Sequence, residues 1–286
     1  MVTHIEVGGK TLGAGEPCFI IAEAGINHNG NVSTARRLID IAAEAGADAV
    51  KFQTYDPYRY ASTSDVSRFE RVTKFALSNE DFTLLAKEAS RLGIGFFSTP
   101  LDESSVDFVA SLSPVIKIAS PDLTFEPTVR ASASTGKPLI ISTGLGLANE
   151  IDEALKWVQQ EIGDVNLSDR VVLMHCVTAY PTPLSQANLH SIGYLRDRYG
   201  LHVGYSDHTE GYINAIASTA LGISVFEKHF TIDKNLKGPD HRMSLNPEEL
   251  KQTIQYIRNT EKSLGMYNKK ILKSEIENSQ KLKKSL

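Results

Sequence analysis

Sixteen side chains able to bind an anion, move a proton or hold a metal sit at the ends of eight short apolar runs. The runs read CFIIAEAG, DAVKFQT, IGFFSTP, PVIKIAS, PLIISTG, VVLMHC, HVGYSDH and SVFEKHF. Their polar tips are Glu23, Lys51, Gln53, Ser98, Thr99, Lys117, Ser120, Ser142, Thr143, His175, Ser206, Asp207, His208, Glu227, Lys228 and His229. Lys51 and Lys117 lie inside apolar segments, where an ammonium is costly unless it meets an anion or a carboxylate. Aimed into one mouth, they would repel each other when empty and welcome a doubly or triply charged ligand, as a phosphate or phosphate-carboxylate. Aimed at a helix from a strand edge, they would be structural. Hydroxyls at Ser98, Thr99, Ser120, Ser142, Thr143 and Ser206 add donors for an anion, and Gly144 and Gly146 let backbone N–H groups approach one.

His208 and His229 end the seventh and eighth runs. Neutral imidazoles are common ligands of divalent metals, and two of them leave coordination positions open for water and substrate. His4, His190 and His202 read as structural residues, while His28 and His175 stay open. The acids Glu23, Asp122, Asp207, Glu227 and Asp240 suit sugar hydroxyls, a metal-bound water or proton transfer. Capping or a salt bridge to a lysine is the alternative use.

Something must bring these tips together. Each run is a predicted strand (18–23, 48–53, 94–98, 114–119, 138–142, 171–176, 201–206 and 224–230) followed by a helix-like segment. Eight such units are the pattern of an α/β chain folded as a (β/α)8 TIM barrel, whose chemistry lies on one rim, so the tips are expected to converge on one pocket. Residues 4–14 read as a hairpin turning at Gly8-Gly9 that plugs the bottom. Ser33 is the expected cap of the first helix, and Ser78 or Asn79 opens a capped helix ended by Gly93. The long connection 54–76 carries Tyr55, Tyr58, Arg59, Tyr60, Arg68 and Arg71, and reads as a lid or binding loop. Asn246-Pro247 starts the last barrel helix. Residues 266–286 are polar and lysine-rich, and read as a final helix, a linker or a frayed tail after a catalytic domain of 1–265.

Composition excludes other classes. The chain has 286 residues, 41% hydrophobic and 22% charged, with a formal net charge of −4. That gives no basic footprint for nucleic acid, and no apolar run reaches the roughly 20 residues of a membrane span. The start MVTHIEVGGK has no signal-peptide core. The only cysteines, Cys18 and Cys176, fall in predicted strands as buried thiols, so a reducing cytoplasmic setting is expected.

Read in order, AEAGINHNGN, KFQT, FFSTP, KIAS, ISTG, HCVTAYPTP, GYSDHT, EKHFT and GPDH resemble the N-acetylneuraminate synthase family, over about residues 18–265. The resemblance implies a cytoplasmic, homodimeric transferase of sialic or related nonulosonic acid biosynthesis. It would condense phosphoenolpyruvate with an N-acylated hexosamine, N-acetylmannosamine or a di-N-acetyl deoxy sugar, using a divalent metal, usually Mn2+. It implies Lys51 and Thr99 on the phosphoenolpyruvate carboxylate, and Lys117, Ser120, Ser142 and Ser206 on its phosphate. His208 and His229 would hold the metal, with Gln53, Tyr180 and Asp240 at the sugar and Glu227 at the metal-bound water. Glu23, Glu227 and Asp240 are the implied catalytic acids. Three departures stand out: Thr178 where an Asn is common, Pro121-Asp122 where Gly-Glu is common, and no antifreeze-like domain after the barrel. The third leaves three possibilities, a fragment, a naturally short protein or a cap from another chain. Rival readings are a phosphoenolpyruvate-dependent aldol-type synthase acting on a phosphorylated sugar, a Schiff-base aldolase using Lys117 or Lys51, and a non-catalytic or partner-dependent subunit.

Overall fold

The computed structural model describes residues 4–13 and 15–284; Ala14 of the expected hairpin and the last two residues of the tail lie outside the described residues. The chain opens with an antiparallel hairpin, β1 (His4–Val7) and β2 (Lys10–Gly13). Eight parallel strands follow: β3 (Phe19–Gly25), β4 (Ala49–Thr54), β5 (Gly95–Pro100), β6 (Ile116–Ile118), β7 (Leu139–Ser142), β8 (Val171–Cys176), β9 (His202–Asp207) and β10 (Val225–His229). Their order, β5-β4-β3-β10-β9-β8-β7-β6, wraps into a barrel in which β5 and β6 lie side by side without a paired ladder.

The helices that follow the strands are α1 (Val32–Ala45), the short α2 (Pro57–Tyr60), α3 (Val66–Phe75), α4 (Asn79–Arg91), α5 (Val106–Leu112), α6 (Glu126–Ser134), α7 (Ala148–Ile162), α8 (His190–Tyr199), α9 (Ile213–Ala220) and α10 (Pro247–Leu264). A last short helix, α11 (Ile276–Leu282), lies in a tail where no residue from 266 to 284 is buried. No helix among the described residues is long and apolar enough to cross a membrane.

Local chemistry explains the boundaries. Ser78 caps α4 in a reciprocal box with Asp81, and Asn246 caps α10 in the same way with Glu249. The cap of α1 is Asn31 rather than Ser33: its side chain accepts from Thr34 N, and Ser33 Oγ donates to Asn31 Oδ1. Residues 54–76 are not a plain loop. They hold α2 and α3, anchored by Tyr55, Ala61 and Val72 packed with Ile26, Phe69 and Leu101.

The core has two compartments. Alternate strand residues such as Ile20, Phe52, Phe96, Ile118, Ile141, Leu173 and Phe226 face the helices. The opposite face points down the barrel axis, where Phe19, Ile21, Ala49, Phe97, Val115, Ile140, Val172, Met174 and Val225 form a separate apolar plug. Ile5, Val7 and Leu12 of the hairpin complete that plug, so the hairpin closes the bottom as expected. Gly204 belongs there for lack of space, since a Cβ would fall 2.2 Å from Met174 Sδ.

Candidate active site

Period two along each strand fixes what the barrel mouth receives. Two residues beyond the apolar plug, on the same inward face, stand Glu23 after Ile21, Lys51 and then Gln53 after Ala49, and Thr99 after Phe97. The same step gives Lys117 after Val115, Ser142 after Ile140, Cys176 after Met174, and Glu227 followed by His229 after Val225. The strand registers pair Glu23 with Lys51, His229 with Glu23, and Ser206 with Glu227.

The other tips point away, which corrects the expectation that all sixteen converge. Ser98 contacts Thr54 at 2.7 Å behind the sheet, and Thr143 donates to Met174 O. His175 meets Ala187 O at 2.8 Å and stacks on Tyr205, on the helix side of β8. Asp207 and Lys228 form a buried ion pair of 2.6 Å outside the barrel, tied to Thr209 and Tyr205. Removing one partner leaves the other charge buried alone, so Asp207→Ala is expected to lose roughly 3–5 kcal/mol of stability in denaturant titration. A loss below about 1 kcal/mol would contradict the burial of that pair. His28 is also structural: its Nδ1 accepts from Gly30 N, and burial pushes it down to about 4.

At the bottom of the mouth is a charged cradle. Lys51 Nζ lies 2.9 Å from Glu23 Oε2, 2.9 Å from Thr99 Oγ1 and 3.6 Å from Glu227 Oε2. Burial lowers Lys51, but Glu227 and Glu23 outweigh it and hold the ammonium charged. Lys117 donates to Ser142 Oγ (2.5 Å) and Ile118 O (3.0 Å), and has no carboxylate in contact. Burial and the neighbouring Lys51 depress it, against the pull of Glu227. Ser206 donates to Glu227 Oε1 at 2.9 Å. The two acids diverge. Burial raises Glu23 against the pull of Lys51. Burial also pushes Glu227 up, but Lys51, Lys117 and Ser206 outweigh it and keep it anionic.

One wall of this cradle escaped the sequence reading. Ser120 Oγ sits 3.0 Å from Cys176 Sγ, so this thiol, buried as expected, also faces the site. A Cβ on Gly144 would fall 2.4 Å from Thr178 Oγ1 and 2.7 Å from both Ser120 Oγ and Cys176 Sγ. Only glycine lets that loop close over the cradle.

Above the cradle stand the histidines, their rings 5.7 Å apart. His208 Nδ1 lies 2.8 Å from Val177 O, which makes it the donor and leaves Nε2 as a lone pair. His229 Nδ1 is buried without a hydrogen-bond partner. Burial lowers both rings, and His208 lowers His229 further, so both are neutral. These are the properties of a metal ligand pair, with the remaining coordination left to water and substrate. Among the described residues no third His, Cys, Asp or Glu completes a metal-holding group.

Tyr180 covers the histidines, its ring 4.3 Å from that of His208. A cavity of about 470 Å³ opens here, lined by Gln53, His229, Tyr180 and Asp240 and by Tyr60 and Arg68 of the α2–α3 excursion. Gln53 Nε2 donates to Glu23 Oε1 at 3.3 Å, linking the cavity to the cradle. Burial raises Asp240 to about 6, and raises Asp122 to about 6 against the pull of Lys117. The structure therefore brings together Glu23, Lys51, Gln53, Thr99, Lys117, Ser120, Ser142, Tyr180, Ser206, His208, Glu227, His229 and Asp240.

Known proteins match this chain along most of its length. The N,N'-diacetyllegionaminic acid synthase of Legionella pneumophila is 43% identical over 92% of this chain and 78% of its own. The enzyme of the same name from Campylobacter jejuni is 41% identical over 94% of this chain and 84% of its own. The crystal structure of N-acetylneuraminic acid (sialic acid) synthetase from Leptospira borgpetersenii, in complex with citrate, superposes with a TM-score of 0.89 at 33% identity, covering 99% of this chain and 98% of that one. Residues 38–269 match the NeuB family, and with these likenesses the chain belongs to it.

Proposed function

We propose that the chain condenses phosphoenolpyruvate with the open-chain form of an N-acylated hexosamine and water, giving a nonulosonic acid and inorganic phosphate. One observation carries this: the two buried lysines with their hydroxyls, the two neutral histidines and the polar cavity are stacked on one inward face. A small polyanion fits the bottom, a polar acceptor fits the cavity, and the histidines lie between. The likeness to two N,N'-diacetyllegionaminic acid synthases supports an acceptor bearing two N-acetyl groups.

In this reading Lys51 and Thr99 take the carboxylate of phosphoenolpyruvate, and Lys117, Ser120, Ser142 and Ser206 take its phosphate. The acceptor lies under Tyr180, against Gln53 and Asp240. Carbon 3 of the enol attacks the aldehyde carbon, and cationic character develops at carbon 2. Glu227, held anionic by Lys51 and Lys117, accepts a proton from the water that adds there. Glu23, raised by burial to about 7 against the pull of Lys51, is the group that supplies a proton to the former aldehyde oxygen. The hemiketal hydroxyl then gives up its proton as the C–O bond to phosphate breaks, carbon 2 becomes the ketone, and the proton leaves with the phosphate, whose charge the lysines and hydroxyls stabilise. His208 and His229 would hold a divalent cation, Mn2+ by family pattern, which when bound polarises the aldehyde and stabilises alkoxide charge.

Phosphate release with phosphoenolpyruvate, Mn2+ and a panel of hexosamines tests the reaction. Release is expected with an N-acylated hexosamine and to be strongest with a di-N-acetyl one. No release with any member of the panel would overturn the reading. The depressed Lys117 is also what a Schiff-base aldolase needs. Borohydride trapping of a pyruvyl adduct on Lys117 would favour that alternative.

A further inference from the structure

A second cavity, of about 680 Å³, adjoins the acceptor cavity and shares Arg71, Phe75 and Pro239 with it. Its other lining residues are Asn29, Lys74, Leu236, Lys237 and Gly238. Three of its eight residues are cations, and none is a carboxylate. Arg71, Lys74 and Lys237 have no ion-pair partner among the described residues. Arg68 continues the row on α3, one turn before Arg71, with its guanidinium 5.4 Å from the ring centre of Tyr60.

The walls are fixed. Asn29 Nδ2 donates to Lys237 O at 3.0 Å, and Asn29 Oδ1 lies 3.3 Å from His241 Nε2. Thr231 Oγ1 lies 2.6 Å from His241 Nδ1, inside the fold. A Cβ on Gly30 would fall 2.2 Å from Lys74 O, so glycine allows the turn after β3 to pack on the end of α3. Arg71 and Lys74 of α3 and Lys237 of the loop after β10 thus line one chamber, with Asn29 of the turn after β3 as its neutral wall. Arg71, Phe75 and Pro239 are the wall it shares with the acceptor cavity, whose far side carries Asp240 and His229.

The geometry points to an anteroom for the anionic substrate: a cationic chamber outside the acceptor cavity that concentrates phosphoenolpyruvate on its way to Lys51 and Lys117. This rests on the condensation reading, because it takes that substrate as the anion. Arg71, Lys74 and Lys237 are exposed, so they act through the field they set up at the entrance; such a field raises the local concentration of a multiply charged ligand, and salt screens it over about 10 Å at 0.1 M. Lys74 and Lys237 touch only the outer chamber, so their role separates from catalysis.

The test is the rate of phosphoenolpyruvate association with the full chain, followed by stopped flow at ionic strengths from about 0.01 to 0.5 M, with steady-state assays alongside. The double variant Lys74→Gln/Lys237→Gln is expected to associate about 3- to 10-fold more slowly at the lowest salt and to converge with the parent at the highest. Lys74→Glu/Lys237→Glu is expected to lose more, in the same direction. Saturated turnover and the acceptor KM stay unchanged in both. Equal association rates with equal salt dependence in parent and variants, with binding intact, would overturn the anteroom and leave the reaction standing. Failure of the parent to bind phosphoenolpyruvate at any salt would remove the reaction and the anteroom together.

Discussion

His208→Ala and His229→Ala are each expected to lower kcat/KM for phosphate release by at least about 1,000-fold, close to 4 kcal/mol of transition-state stabilisation. The magnitude follows from what the two rings are arranged to do. Burial keeps both neutral, and Val177 O fixes His208 with Nε2 free. The buried Nδ1 of His229 has no hydrogen-bond partner, a costly arrangement that a ligand would relieve. In the proposed reaction, truncating either ring would remove half of the protein's share of the coordination. Equilibrium binding of Mn2+ to each variant gives a readout independent of turnover, and affinity is expected to fall by at least about 100-fold. His175→Ala is the control. It deletes an imidazole from the same barrel but from the outward face of β8, so metal affinity should hold. Full activity in either site variant would remove the histidines from the mechanism.

Lys117→Met carries the second large effect. The KM for phosphoenolpyruvate is expected to rise at least about 100-fold, the scale of losing a charged donor from a preorganised anion site. Lys117 suits this test better than Lys51. Lys51 bridges Glu23 and Glu227, and its loss would strand two buried acids, whereas Lys117 donates only to Ser142 and Ile118 O. Stability should move the other way. A lysine depressed in the folded state binds fewer protons there than in the unfolded chain. Its charge therefore destabilises the empty protein below the folded pKa, and the penalty fades as pH rises toward the unfolded value of about 10.4. The methionine variant is expected to be more stable than the parent at pH 7, with the gap closing as pH approaches 10.5. A less stable variant at neutral pH, or an unchanged KM, would refute the assignment.

The strands were legible because each is a short apolar run cut off by polar residues, and β8 falls where the residues place it, at 171–176. The facing of each tip was not. Parallel barrel strands are apolar on both faces, so composition cannot say which parity points inward. Lys51 and Lys228 look alike in sequence, yet one meets Thr99 in the mouth and the other Asp207 behind the sheet. Parity becomes readable only from the packing of Ile21, Ala49 and Val225 against the hairpin. Contacts between distant segments were hidden for the same reason. Nothing local to Cys176 announces Ser120, and nothing local to Gly144 announces Thr178. The cap of α1 failed on a finer scale, because Asn31 and Ser33 are both good caps and only the backbone turn chooses between them.

The hairpin at the foot of the barrel has a consequence for traffic. With Ile5, Val7 and Leu12 packed with Phe19 and Met174, the barrel is a well closed at its foot. In the proposed reaction, phosphoenolpyruvate on Lys51 and Lys117 would therefore enter before the acceptor that lies above it under Tyr180, and the phosphate would leave after the acid product.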